Sequence, residues 1–169
     1  MPAPTPLRAA IALGSNIETP GATRRGHLDA AIRALDDPLR TRVIAASAPI
    51  ETEPVGPAGQ GPYLNGAAIL ETTLSPRGLL ARLLEIERSR GRDRAAEQRW
   101  GARTLDLDLL LYDDLVIDEP GLTIPHPRMG DRRFELEPLA AIAPDWVVPG
   151  VGATVIDLLE RLAAREIAR

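Results

Sequence analysis

The chain has 169 residues, enough for one domain around a single core, and its net charge of −4 with a pI near 5.3 argues against a general nucleic-acid binder. The absence of cysteine excludes a disulfide framework and a thiolate metal site, and no apolar run is long enough to span a membrane. All 20 basic residues are arginines, so lysine chemistry is ruled out, and they cluster between Arg82 and Arg103. The Pro-rich start, Met1-Pro-Ala-Pro-Thr-Pro, lacks the pattern of a secretory signal. The expectation is a cytoplasmic protein with a disordered tail at 1–6 and a single domain at 7–169.

In chain order, Leu7–Leu13 reads as a buried strand stopped by Gly14-Ser15-Asn16. That stop is a plain turn or, in a sharper reading, a loop whose backbone approaches a ligand closely. Thr23–Leu35 predicts a helix with Leu28, Ile32 and Leu35 at helical spacing, and Thr41–Ala48 a second strand. Glu51–Pro62 is a long loop punctuated by prolines and glycines, of a length that is usually functional or mobile in compact domains. Tyr63–Thr72 is a third strand. Ser75 as N-cap and Pro76 at the first helical position then open a helix to about Arg90, with Leu79, Leu80, Leu83 and Ile86 inward. A polar loop (Gly91–Arg99), a fourth strand (Leu105–Tyr112), a short extra strand (Leu115–Ile117) and an extended Ile124-Pro-His-Pro segment follow. Two short helices close the chain, the last around Thr154–Ala164. The order β-α-β-β-α-β is that of a ferredoxin-like α+β sandwich on an antiparallel sheet, which by itself says nothing about function.

Strand periodicity puts Asp106 and Asp108 on one face, roughly 6–7 Å apart at Cα, with Leu105, Leu107 and Leu109 opposite. Alone, that alternation also describes a half-exposed strand with solvated carboxylates. Trp100 and Arg103 just ahead of it favour a magnesium-bound polyphosphate, with carboxylate oxygens for the metal and guanidinium groups for the phosphates. Gly91-Arg92-Asp93-Arg94 is either a solvated helix exit or a mobile flap whose arginines close on phosphates. His126 stands between two prolines that hold its imidazole in a fixed place, and with only His27 besides it a His-rich metal site is excluded. Tyr63 and Asn65 share a strand face: a ring beside an amide fits a flat heterocycle, or is an ordinary strand face. No Walker-type phosphate loop and no GxGxxG fingerprint occurs.

Six segments together resemble the 6-hydroxymethyl-7,8-dihydropterin pyrophosphokinase family of folate biosynthesis. They are Ile11–Asn16, Thr52–Gly56, Tyr63-Leu-Asn65, the Arg99–Asp108 run with its Arg-Thr-Leu-Asp-Leu-Asp core, Pro125-His-Pro-Arg128 and Arg132-Arg-Phe134. The resemblance implies transfer of the β,γ-diphosphate of ATP to the hydroxymethyl oxygen of the pterin, with release of AMP. It places two magnesium ions on Asp106 and Asp108 and the pterin between Tyr63 and Phe134. The pterin's polar edge then falls to Asn65 and to Thr52, Pro54, Val55 and Gly56. ATP and its phosphates fall to Glu87, Arg92, Arg94, Trp100, Arg103, Thr123, His126 and Arg132, with Arg92 and Arg94 also counted as catalytic beside the two aspartates. Ile50, Ala95 and Gly121 depart from residues found in some relatives. The expected protein is a monomer acting on two small molecules, with neither nucleic acid nor membrane as partner. The rival readings are a non-catalytic ligand-binding domain, which needs no aspartate pair beside arginines, and a nucleic-acid module, which needs aromatics on a basic sheet.

Overall fold

The computed structural model describes residues 5–99 and 101–169, so the expectations for the tail at 1–4 and for Trp100 lie outside the described residues. At its centre runs strand β1 (Leu7–Ser15), buried from Ala9 onward on both faces. Ala9, Ile11 and Leu13 join one core and Ala10 and Ala12 another, which explains a continuous apolar run in place of alternation. Helices α1 (Arg24–Leu35) and α2 (Pro76–Ser89) pack on the first core through Leu28, Leu35, Leu79, Leu83 and Ile86. Helices α3 (Arg133–Ile142) and α4 (Val155–Ile167) pack on the second through Leu136, Leu139, Val155 and Leu162. Each fully buried leucine contributes about 1.5–3 kcal/mol.

The helices start where their side chains can cap them. Thr23 accepts from Gly26 N at 3.0 Å and Ser75 from Gly78 N at 3.1 Å, while Thr154 and Asp157 form a reciprocal capping box. In the main sheet β1 lies between β4 (Tyr63–Thr72) and β5 (Asp106–Tyr112), and β2 (Thr41–Ala46) flanks β4, all antiparallel, in the order β2-β4-β1-β5. A short strand β3 (Ile50–Thr52) pairs with the start of β4. It occupies the beginning of the expected long loop, and three residues are too few to show a period of two.

Two small hairpins and a 3-10 turn at Met129–Asp131 complete the described elements. The extra strand expected at Leu115–Ile117 begins instead at Ile117, because Leu115 N closes a turn onto Tyr112 O at 3.0 Å. This β6 (Ile117–Glu119) pairs with β7 (Leu122–Ile124), and β8 (Val147–Val148) pairs with β9 (Ala153–Thr154). The Ile124–Pro125 peptide is cis, and His126 N returns to Leu110 O at 2.8 Å.

Candidate active site

The end of β1 and the beginnings of β4 and β5 meet at one edge of the sheet, and the register there assembles a row of side chains. Gly14 lies opposite both Asn65 and Asp106, Ala12 opposite Asp108, and Thr52 opposite Tyr63. Direct partners in an antiparallel sheet point to the same face, so Thr52, Tyr63, Asn65, Asp106 and Asp108 line one surface. Over it lies a cavity of about 280 Å³, covered by Arg132, Phe134 and Glu135 around the start of α3 and also lined by Val55, Arg103 and Asp131. Small residues open the floor: a Cβ on Gly14 would stand 3.0 Å from Asn65 Oδ1 and 3.6 Å from Tyr63 Cδ1.

The walls are tied together. Asn65 Nδ2 donates to Thr52 Oγ1 at 2.5 Å, and Tyr63 Oη donates to Gly101 O at 3.1 Å. Burial pushes the Tyr63 phenol above its ordinary range, so it remains a neutral ring. Arg132 sits over the Phe134 ring at 5.7 Å from its centroid. Asn16 joins three segments, accepting from Arg103 N at 2.7 Å and donating to Gln60 Oε1 and Gly61 O at 3.2 Å each.

The two aspartates differ in their surroundings. Asp106 accepts from Arg92 Nη1 on one oxygen at 2.6 Å and from Arg103 Nη1 on the other at 2.9 Å. Burial raises its carboxyl, but the Arg103 and Arg92 charges outweigh that and hold it below the usual carboxylate range. Asp108 has Arg132 Nη1 at 3.6 Å. Burial, then the Asp106 and Glu135 charges, push it up to about 7. Oxygen donors of this kind fit a hard divalent cation. Among the described residues no three His, Cys, Asp or Glu side chains converge to hold one unaided.

Behind Asp106 lies a buried charge cluster. Arg92, its side chain 1% exposed, donates to Glu87 at 2.7 Å, to Glu97 at 2.8 and 3.2 Å and to Leu105 O at 3.2 Å. Glu87 in turn accepts from Leu107 N at 2.8 Å and from Arg94 at 2.8–3.1 Å. Glu87 and Arg92 thereby cover the outer edge of β5, using the N–H and C=O that a further strand would take. Burial raises the Glu87 carboxyl, opposed by the Leu107 hydrogen bond and the two arginines. Glu87, Arg92 and Arg94 line a second depression of about 390 Å³ with Leu84, Arg88 and Asp93. His126 is half-buried; burial, with Arg132 and Arg128 adding to it, lowers its imidazole to about 4, so it is neutral at neutral pH.

Of the residues singled out from sequence, Thr52, Val55, Tyr63, Asn65, Arg103, Asp106, Asp108, Arg132 and Phe134 line the first cavity. Pro54 and Gly56 flank it in sequence on the loop that carries Val55, and Thr123 is exposed on β7. Glu97 and Glu135 were not anticipated. Glu97 belongs to a loop without periodicity. Glu135 could have been read from its position four residues before Leu139, on the inward face of α3.

Comparison with known proteins agrees on one family. A sequence profile described as 7,8-dihydro-6-hydroxymethylpterin-pyrophosphokinase matches residues 10–144. A 2-amino-4-hydroxy-6-hydroxymethyldihydropteridine pyrophosphokinase of Haemophilus influenzae is 40% identical over 163 residues, covering 96% of this chain and 98% of that one. The enzyme of the same name from Pseudomonas aeruginosa is 44% identical over 142 residues, 84% of each chain. Wild-type Plasmodium falciparum HPPK-DHPS shares the fold with a TM-score of 0.74 at 13% identity; the match covers 96% of this chain but 44% of that longer one.

Proposed function

Since the chain belongs to the 7,8-dihydro-6-hydroxymethylpterin-pyrophosphokinase family, we propose that it transfers diphosphate from ATP to 6-hydroxymethyl-7,8-dihydropterin. The observation that carries this reading is the register that brings Asn65, Tyr63, Asp106 and Asp108 into one row beneath Phe134. The pterin ring stacks between Tyr63 and Phe134, and its polar edge meets Asn65 and the Thr52–Gly56 segment. The strand order β2-β4-β1-β5 supports a ferredoxin-like assignment of the sheet.

In the reaction the hydroxymethyl oxygen attacks the β-phosphorus of ATP in line. The bond from that phosphorus to the α,β-bridging oxygen breaks, AMP leaves, and the hydroxyl proton passes to solvent. Such a transfer depends on positioning and charge neutralisation more than on a strong base. Asp106 and Asp108 would hold magnesium, which would supply the Lewis acidity that neutralises the diphosphate. Arg103 and Arg132 lie on either side of the aspartates and bind phosphate oxygens, with Arg92 and Arg94 brought in from the flap. Arg92 and Arg103 donate to the two oxygens of Asp106, so an Arg92 turned toward phosphate would leave one of those oxygens for a cation. Neutral His126 and Thr123 meet the nucleotide. The site so described is that of a monomeric enzyme with small-molecule substrates.

Phosphorus NMR of the protein with ATP, magnesium and the hydroxymethyl-dihydropterin tests the proposal. AMP and a pterin diphosphate in equal amounts are expected; ADP as the nucleotide product, or no reaction in folded protein, would overturn it.

A further inference from the structure

The reaction outlined above leaves Glu135 without a part. Its side chain is 1% exposed, and Oε1 accepts from Arg132 Nη1 at 2.6 Å. Oε2 is buried and receives no N–H donor, and the side chain faces the Asp108 carboxyl closely enough to share a proton with it, in the cavity that Asp106 and Asp108 also line. An unpaired buried acceptor costs about 1–3 kcal/mol, more when charged, and native structures normally supply it with a water or an ion. Anchoring Arg132 needs only one of the two oxygens.

The charges around the cavity also favour a cation there. Asp106 has two guanidinium groups, Arg92 and Arg103. Asp108 and Glu135 share a single one, Arg132, at 3.6 and 2.6 Å. Negative charge therefore exceeds positive on the Asp108 side of the row. Magnesium dehydrates reluctantly and keeps several waters, each a donor to nearby carboxylates.

We propose that Glu135 is an outer-sphere carboxylate of the cation site, its Oε2 accepting from a water on the ion held by the two aspartates. This rests on the reading of Asp106 and Asp108 as metal ligands. Glu135 thereby has two roles on two oxygens: one positions Arg132 for phosphate, and the other orients a metal-bound water. The same residue links the charge of the ion to the arginine that meets the nucleotide.

The test measures Mn²⁺ binding by electron paramagnetic resonance, with a non-hydrolysable ATP analogue, for the wild type, Glu135→Gln and Asp108→Asn. Glu135→Gln preserves volume and an acceptor for Arg132, and it is expected to weaken Mn²⁺ by about tenfold. Its affinity for the analogue in EDTA, which reads Arg132 without the metal, should remain within twofold of wild type. Unchanged Mn²⁺ affinity, with Asp108→Asn weakened, would overturn the outer-sphere role and leave the two-aspartate reading standing. An equal loss of analogue affinity in EDTA would show that Glu135 acts only through Arg132, and would overturn it too. Unchanged Mn²⁺ binding in Asp108→Asn would remove the underlying reading and this proposal with it. Should the amide variant not fold, Glu135→Asp, shorter by one methylene, must weaken Mn²⁺ in the same direction for the proposal to survive.

Discussion

Asp106 and Asp108 are two residues apart, yet their environments separate them. Asp106 is clamped by two arginines and kept charged, whereas Asp108, buried among carboxylates, is pushed up to about 7. Magnesium held there, as proposed, would offset the repulsion that raises it. Replacing either aspartate with alanine should lower turnover by about a thousandfold; Asp108→Ala should keep its thermal midpoint near that of the wild type, whereas Asp106→Ala, which takes a carboxylate from buried Arg92, should lower it, as steady-state rates and calorimetry will show. Gly14 makes a separate prediction. Its substitution by alanine drives a Cβ to 3.0 Å from Asn65 Oδ1, so KM for the pterin should rise several-fold with little change for ATP. The aspartates, Tyr63 and Asn65 are legible in the sequence because a strand's period of two fixes which side chains meet, and Arg103 because it leads directly into that strand. Glu135 is legible only as an inward-facing position of α3 and not as part of the site, and Glu97 lies in a loop with no period.

At the scale of elements, α2 and the loop after it do two jobs. Glu87 and Arg92 close the edge of β5, and the same arginine belongs to the flap proposed to act on phosphate. Gly91, with φ of 86°, lets the chain turn sharply between helix and flap. Glu87→Ala leaves Leu107 N–H without its partner and removes one of three carboxylates around a buried arginine. It should cost about 3 kcal/mol, a fall of roughly 6–12 °C in Tm, with Glu87→Gln less damaged because it still accepts from Leu107. Arg92→Ala or Arg94→Ala should slow the chemical step by about a hundredfold while pterin affinity changes little, a contrast that single-turnover rates and pterin titration will separate. The long elements, β1, β4, β5, α1 and α2, follow from their apolar patterns and caps. The strands β3 and β6 to β9 are two or three residues long, and the register that creates them is set by partners rather than by local sequence.

At the scale of the whole molecule, buried ionisable groups make stability depend on pH with opposing signs. His126 titrates at about 4 when folded against 6.5 when unfolded, so between those values the unfolded chain binds the extra proton and stability falls as pH is lowered. Asp108, raised when folded, works the other way and gains stability as pH falls below about 7. Comparison of wild type with His126→Gln isolates the histidine. Between pH 7 and 5 the wild type should lose about 2 kcal/mol more than the variant in urea unfolding, and equal losses would contradict a buried neutral imidazole.

Substrates and cations are assigned to one place, the cavity where β1, β4 and β5 meet beneath the start of α3. A crystal structure with magnesium, a non-hydrolysable ATP analogue and 6-hydroxymethyl-7,8-dihydropterin tests that assignment most directly. The pterin is expected stacked between Tyr63 and Phe134 with its edge on Asn65, and cations on Asp106 and Asp108. A pterin bound elsewhere, or cations held by other carboxylates, would contradict it.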